Sequence, residues 1–305
     1  MFVGGCSGLP PSAKLSSASK PASAQPSAAP DPGPDAGAAR LFPSASADWL
    51  YTAPSGSGLD ISSITSTIDF GVNTPQGGFD FPVQYADGSG GCTTFTDTVP
   101  YNLKDSICVP NPAGGFHPSV GSWGYNDGHL VVVDRASGKY YGFWKLTVDG
   151  NGTPKSTNVG KVVEGSLNGD GTPGTTAAAI TGLAGDILPG ELDCDTCLNH
   201  ALNLIVPQTM NSKRVCSQAP AKGTDGSVPG AIFCEGAKLR FDPAVDVSTL
   251  DASTAVKAIM RALQLYGGVI TDQSGGGTIT CYTALAQPPD MTGSRLIGQH
   301  LSIYY

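Results

Sequence analysis

Apolar residues in this chain fall in short runs broken by Gly, Asp and Ser, and one stretch keeps helical spacing. The strongest run is His129-Leu-Val-Val-Val-Asp134. After the turn-forming segment 135–139, Tyr140-Tyr-Gly-Phe-Trp-Lys-Leu-Thr-Val148 resumes it. β-Branched and aromatic residues suit a pleated surface and Ser137-Gly138 suits a turn, so 129–148 is predicted as a β-hairpin. The parity of Val131, Val133, Tyr141, Phe143 and Lys145 separates two faces. Further strands are predicted at 66–71, 81–85, 201–206, 238–241, 269–271 and 278–283. A helix is predicted over 253–266, where Val256, Ile259, Met260 and Leu263 share a face, Ser253 caps the start and Gly267 the end. A second short helix is expected over 175–184, limited by Gly182 and Gly185. Many strands, one packed helix and long Gly/Asp-rich loops make the expected fold mainly β, a β-sandwich or jelly-roll-like domain.

Composition supports that choice. Of 305 residues, 41 are Gly and 24 Pro, and the acids are 22 Asp against three Glu (Glu164, Glu191, Glu235). Helices favour Glu, Lys, Arg and Leu, so a bundle, a coiled coil and a nucleotide-binding α/β enzyme are all disfavoured. A net charge of −8 with no Lys/Arg cluster argues against a nucleic-acid partner. No apolar run is long enough for a transmembrane span.

The chain ends differ in character. Residues 7–47 are rich in Ser, Pro and Ala and are expected to form a disordered tether of ~3 Å per residue. Before them, Val3-Gly4-Gly5-Cys6 resembles the end of a lipoprotein signal, which makes Cys6 the lipidation candidate, 1–6 a signal remnant and the cell surface the expected location. Residues 48–305 are expected to form a single β-rich domain beginning at Trp49-Leu50-Tyr51. The other cysteines suggest local pairs, Cys92 with Cys108, Cys194 with Cys197 and Cys216 with Cys234, leaving Cys281. Paired cysteines point to an extracytoplasmic compartment.

An ordered series of short pieces carries a resemblance. Asp48-Trp49, Pro82-Val-Gln-Tyr-Ala-Asp87, Asp127-Gly-His129-Leu-Val-Val-Val-Asp134, Tyr141-Gly-Phe-Trp144, Gly182-Leu-Ala-Gly185, His200-Ala-Leu, Lys238-Leu-Arg-Phe-Asp242, Ala262-Leu-Gln-Leu-Tyr-Gly267 and Asp272 follow one another across residues 48–290. The series resembles a group of secreted bacterial proteins of unknown mechanism. The resemblance implies secretion but brings no activity with it. Asn199 stands where members often carry an Asp, and 212–221 holds Cys216 but no His.

Candidate chemistry concentrates around two of the four histidines. His129 opens the strongest strand two residues after Asp127, and His200 opens another; on neighbouring strands the two rings would share one end of a sheet. Asp127 is also a candidate to pair with Asp272, Glu191 or Asp193 as a glycosidase carboxylate pair. A lyase would use His129, Tyr141 or Tyr266 with Arg240. Trp123, Tyr125 and Asn126, in the loop before Asp127, are candidates for sugar stacking and binding. Trp144 reads as core, and Asp134 as a turn residue. His117 and His300 are weaker candidates.

Cys194, Cys197 and His200 could ligate zinc only with a fourth ligand such as Cys216, so a disulfide is the expected state. Asp149-Gly-Asn151-Gly and Asn168-Gly-Asp170-Gly look slightly like calcium loops but fit tight turns better, so no cofactor is expected and calcium is the one metal left open. The resulting expectation is a secreted or surface-tethered hydrolase or lyase of an extracellular polysaccharide. Its catalytic residues would be His129, Asp127 and His200. The alternative is a non-enzymatic lectin-like or adhesive lipoprotein.

Overall fold

The predicted hairpin forms the middle of the molecule. In the computed structural model, which describes residues 42–73, 78–86, 90–98, 106–120, 127–209, 219–274 and 276–305, the strands in chain order are β1 (Leu59–Asp60), β2 (Asp69–Val72), β3 (Val83–Ala86), β4 (Cys92–Asp97), β5 (Ser106–Pro110), β6 (Leu130–Asp134) and β7 (Lys139–Trp144). Then come β8 (Asn158–Val159), β9 (Lys161–Ser166), β10 (Leu202–Val206), β11 (Lys238–Phe241), β12 (Gly268–Gln273), β13 (Thr278–Cys281) and β14 (Leu301–Tyr304). The helices are α1 (Ser62–Thr65), α2 (Thr254–Leu265) and α3 (Arg295–Gly298).

These strands make a seven-stranded mixed sheet (β1-β14-β11-β12-β10-β13-β2), a four-stranded sheet (β3-β6-β7-β9) and a three-stranded one (β5-β4-β8). Burial explains the layering. In β10, Leu202, Leu204 and Val206 pack with the apolar face of α2, while Ile205 packs with Val131, Val133 and Tyr140 of the four-stranded sheet. In β6, Val131 and Val133 face the large sheet, whereas Leu130 and Val132 pack with Phe95 and Val109 of β4 and β5. Helix and three sheets therefore stack in succession. A strand covered on both faces needs no polar alternation, which is why Leu130-Val-Val-Val133 reads as an unbroken apolar run. The fold is mainly β and sandwich-like, as expected.

Helix α2 follows the sequence closely. Ser253 Oγ accepts from the Val256 amide, and Gly267 ends the helix at a φ of 77°. The expected helix at 175–184 is absent, and the segment instead forms turns tied by Ala178 N–H to Thr271 O and Thr181 N–H to Gly171 O. Its small residues serve close packing between sheets rather than a helical face. Strands β4, β5 and β9 were not expected. They carry Thr, Ser, Cys and Lys on solvent-facing positions, which weakens their apolar signal. Order also begins earlier than expected, since Phe42 and Ala47, assigned to the tether, are buried in the core. Residues 7–41 of the expected tether, and Cys6, lie outside the described residues.

Candidate functional site

The site is built where β6 begins and β7 ends. Gly128 has a φ of 58°, and a side chain there would collide with the backbone of Leu146. Its absence lets Asp127-Gly128 run against Lys145-Leu146: Lys145 N–H donates to Asp127 O at 2.5 Å and Leu146 N–H to Gly128 O at 3.1 Å. Lys145 itself is a non-glycine residue with φ 58°, a conformation that usually has a structural or functional cause. Asp127 N–H donates to Gly78 O, which draws in the segment leading to Asp80 and Phe81.

His129 is buried and fixed from four sides. Its amide donates to Ser119 Oγ at 2.9 Å, and Ser119 N–H returns a bond to the His129 carbonyl. The ring stacks on Phe81 with centroids 4.0 Å apart. Nδ1 lies 3.3 Å from the Phe143 carbonyl. A carbonyl can only accept, so Nδ1 carries a proton and Nε2 is the atom free to exchange one. Nε2 faces Asp127 Oδ2 at 3.7 Å, an ion-pair distance beyond hydrogen-bond reach.

The neighbouring carboxyls are pushed in opposite directions. Asp127 is 38% exposed. The His129 ring, then the Trp144 indole and Lys145 ammonium, hold it below the usual carboxylate range against partial desolvation. Trp144 Nε1 donates to Asp127 Oδ1 at 3.4 Å, and Lys145 Nζ sits 4.3 Å from the Trp144 centroid. Behind the ring, burial raises Asp80 to about 6 although His129 opposes it. Asp272 is also raised to about 6, by burial and by Asp225, with Gln273, Tyr282 and His129 pulling the other way. Tyr282 donates to Asp272 Oδ2 at 3.0 Å and meets Phe81 edge-on at 4.6 Å.

His200 is placed differently from the expectation. It precedes β10 in the seven-stranded sheet, whereas His129 precedes β6 in the four-stranded sheet, so the two rings do not share a sheet end. Its Nε2 is 3.2 Å from both oxygens of Glu191, and Nδ1 is 2.8 Å from the Ala201 carbonyl. Glu191 also accepts from the Leu188 amide at 2.7 Å. Burial pulls the imidazole down, but the Glu191 carboxylate and the Ala201 carbonyl outweigh it, and the pKa lies above the ordinary histidine value.

Trp123, Tyr125 and Asn126 lie outside the described residues. Arg240 donates to Gln264 O at 3.0 Å near the end of α2 and has no bond to His129, and Tyr141 is buried in the core. Asp134 is the turn residue expected, accepting from Ala136 N–H, Ser137 N–H and Ser137 Oγ. Asp149 and Asp170 likewise accept from their own turns. His117 and His300 stand apart, the first against the Gly114 carbonyl and the second against Phe241.

Cys92–Cys108 and Cys194–Cys197 are disulfides, and Cys281 is a buried free thiol. Cys234 is also disulfide-bonded, while Cys216 lies outside the described residues. Among the described residues no helix is long and apolar enough to cross a membrane. Disulfides in place are compatible with an extracytoplasmic protein.

Sequence reasoning missed Asp80 and Tyr282. A signal for Asp80 exists, because an acid between Phe79 and Phe81 must be buried or exposed along with two aromatics. Asp272 was visible only as one of several candidate partners. The class that fold and site define is a β-sandwich-like domain with a histidine–carboxylate centre between its sheets. The chain matches no family model, no curated protein and no solved structure.

Proposed function

We propose that this protein is a secreted or surface-tethered carbohydrate-active enzyme, a hydrolase or lyase of an extracellular polysaccharide, with Asp127 and His129 as its acid/base centre. The observation that carries this reading is a buried imidazole, fixed through Nδ1 by the Phe143 carbonyl, whose Nε2 faces a carboxylate 38% exposed. Asp127 is held ionised, while Asp80 and Asp272, which act on the same ring, are raised to about 6. Environments that drive paired acids apart give one site both a base and an acid near neutral pH. Asp127, partly open to solvent, is the base or nucleophile. His129 is the partner in proton transfer, through Nε2. Trp144 takes the stacking role beside the carboxylate, together with Trp123 and Tyr125 of the preceding loop. Lys145 favours a negative group on the bound sugar. The disulfides support export, and the Cys6 anchor belongs to the same proposal.

Turnover of a glycan panel by the purified protein tests the reading. Product release that is lost in His129→Ala and Asp127→Asn supports it. Full activity in a His129→Ala, Asp127→Asn double variant overturns the assignment of the centre. A lectin-like protein is the second reading, favoured by the 3.7 Å gap between Asp127 and His129. Saturable glycan binding without product, unchanged by loss of both side chains, would select it.

A further inference from the structure

The turns at 181–187 border a second group of buried oxygen atoms, which shares only Asp80 with the surroundings of His129. Asp186 is fully buried, and neither carboxylate oxygen has a hydrogen-bond partner. The adjacent Ile187 amide is spent on the Tyr282 carbonyl at 3.2 Å. Four other buried side-chain oxygens are unpartnered too: Ser274 Oγ at the end of β12, and Asp80 Oδ1, Thr181 Oγ1 and Asn203 Oδ1.

Backbone pairing brings Asp186, Asp80, Thr181 and Asn203 together. Phe81, next to Asp80, donates to Thr283 O at 3.3 Å. Ile187, next to Asp186, pairs with Tyr282 and receives the Ala284 amide at 2.9 Å. Asp80 and Asp186 thus flank the same segment, 282–284. Asn203 Nδ2 donates to the Thr181 and Gly182 carbonyls, both at 3.1 Å, and Asn203 N–H donates to Gly185 O at 2.9 Å. Gly182 lies directly against the Phe81 ring. The four side chains therefore border one buried corner between the two larger sheets.

Among these four side chains the Asn203 amide protons are already given to the Thr181 and Gly182 carbonyls, which leaves the Thr181 hydroxyl as the one neutral donor. Neither Asp186 oxygen is paired with a Lys or Arg side chain among the described residues. Asp80 feels only His129 as a positive group. Buried acceptors without donors are rare and costly, and an unpaired buried charge more so. No three of His, Cys, Asp or Glu gather around a common point among the described residues, which is the wrong chemistry for zinc. Two carboxylates with an amide and a hydroxyl oxygen suit a hard divalent cation, which also takes backbone carbonyls.

We propose that Asp186, Asp80, Asn203 and Thr181 form a buried calcium site that clamps the 181–187 turns to the 282–284 segment. One divalent ion balances the two carboxylates. The site shares Asp80 with the surroundings of His129, so calcium binding is measured without reference to turnover.

Calcium titration of the full chain after EDTA treatment and dialysis tests this, read by calorimetry and by thermal unfolding. The expected result is one calcium per chain and a Tm rise of ~5 °C or more when calcium exceeds its Kd ~100-fold. Both responses should disappear in Asp186→Asn and in Asp80→Asn and persist in Asp149→Asn, which alters only a turn. Should Asp186→Asn fail to fold, Asp80→Asn decides the question by the same two readouts. The proposal is overturned if the purified protein holds no calcium and binds none at millimolar concentration after chelation. Binding that survives both substitutions overturns it as well.

Discussion

Two histidines open two strands, and each faces a carboxylate, yet the pairs are built for different ends. At His200 both ring nitrogens meet acceptors, Glu191 is also held by the Leu188 amide, and the two side chains are only 13% and 19% exposed. Every proton is committed, so the pair acts as a clasp between the 188–191 turn and the start of β10. At His129 one nitrogen is fixed by the Phe143 carbonyl and the other looks across 3.7 Å to a carboxylate 38% exposed. That pair keeps an exchangeable proton and an open face. Proximity of a carboxylate to an imidazole therefore does not identify a reactive centre; the state of the second nitrogen does.

The contrast is open to experiment, and the largest effect is expected at the open pair. His129→Ala should reduce glycan turnover at least ~100-fold, the usual contribution of a positioned acid or base, measured as kcat/KM on the best substrate of the panel. Activity retained in that variant would erase the distinction.

Next in size is the closed pair. Glu191→Gln leaves His200 without its counter-charge, and the unfolding free energy should fall by about 3 kcal/mol in urea titrations. His200 contributes stability that is full below the ordinary histidine value and lost as pH rises through its higher folded value. The Glu191→Gln deficit should accordingly shrink on the alkaline side. A loss of turnover without loss of stability would make this pair catalytic after all.

The buried acids behind His129 should give a smaller, pH-dependent signal. Asp272 is raised from 3.8 to about 6, so the stability it contributes is present below 3.8 and lost as pH rises through 6, a change of at most about 3 kcal/mol. The isosteric Asp272→Asn should flatten the fall in Tm between pH 4 and 7. An unchanged pH profile would remove Asp272 from the account. Smallest of all is the expected stability effect of Asp127→Asn, below ~1 kcal/mol because the carboxylate is partly solvated and its ion pair is long. A larger loss would mean that the open pair is also a clasp.

Legibility in the sequence followed the strength of local signals. The hairpin, α2 and β10 to β13 were readable because apolar runs, a Ser cap and a terminal Gly agree there. Edge strands such as β4 and β5 were not, since their Thr and Ser residues suit a loop as well as a solvated strand. Within the site, Asp127 and His129 were readable because they sit two residues apart. Glu191 and His200 are nine apart across a turn, and Asp272 and Tyr282 lie in and just after the consecutive strands β12 and β13, whereas Asp80 precedes β3 in the four-stranded sheet. Their meeting depends on how β3, β12 and β13 are arranged in two sheets, which no local pattern encodes. The 175–184 segment misled because small residues satisfy both a short helix and a tight inter-sheet turn.

The double burial of β6 has a consequence for how its register is chosen. A strand with one wet face is held in place by its pattern, because a slip of one residue would expose every apolar side chain. Leu130-Val-Val-Val133 has no such safeguard: after a slip, one valine simply replaces another. The choice then falls to the polar residues at its ends. Asp134 fixes one end by closing the turn onto Ala136 and Ser137, and Ser119 with Phe143 fixes the other through His129. The turn at Asp134 is thus a vernier for a centre at the opposite end of the strand, setting which residue meets Asp127 without touching it.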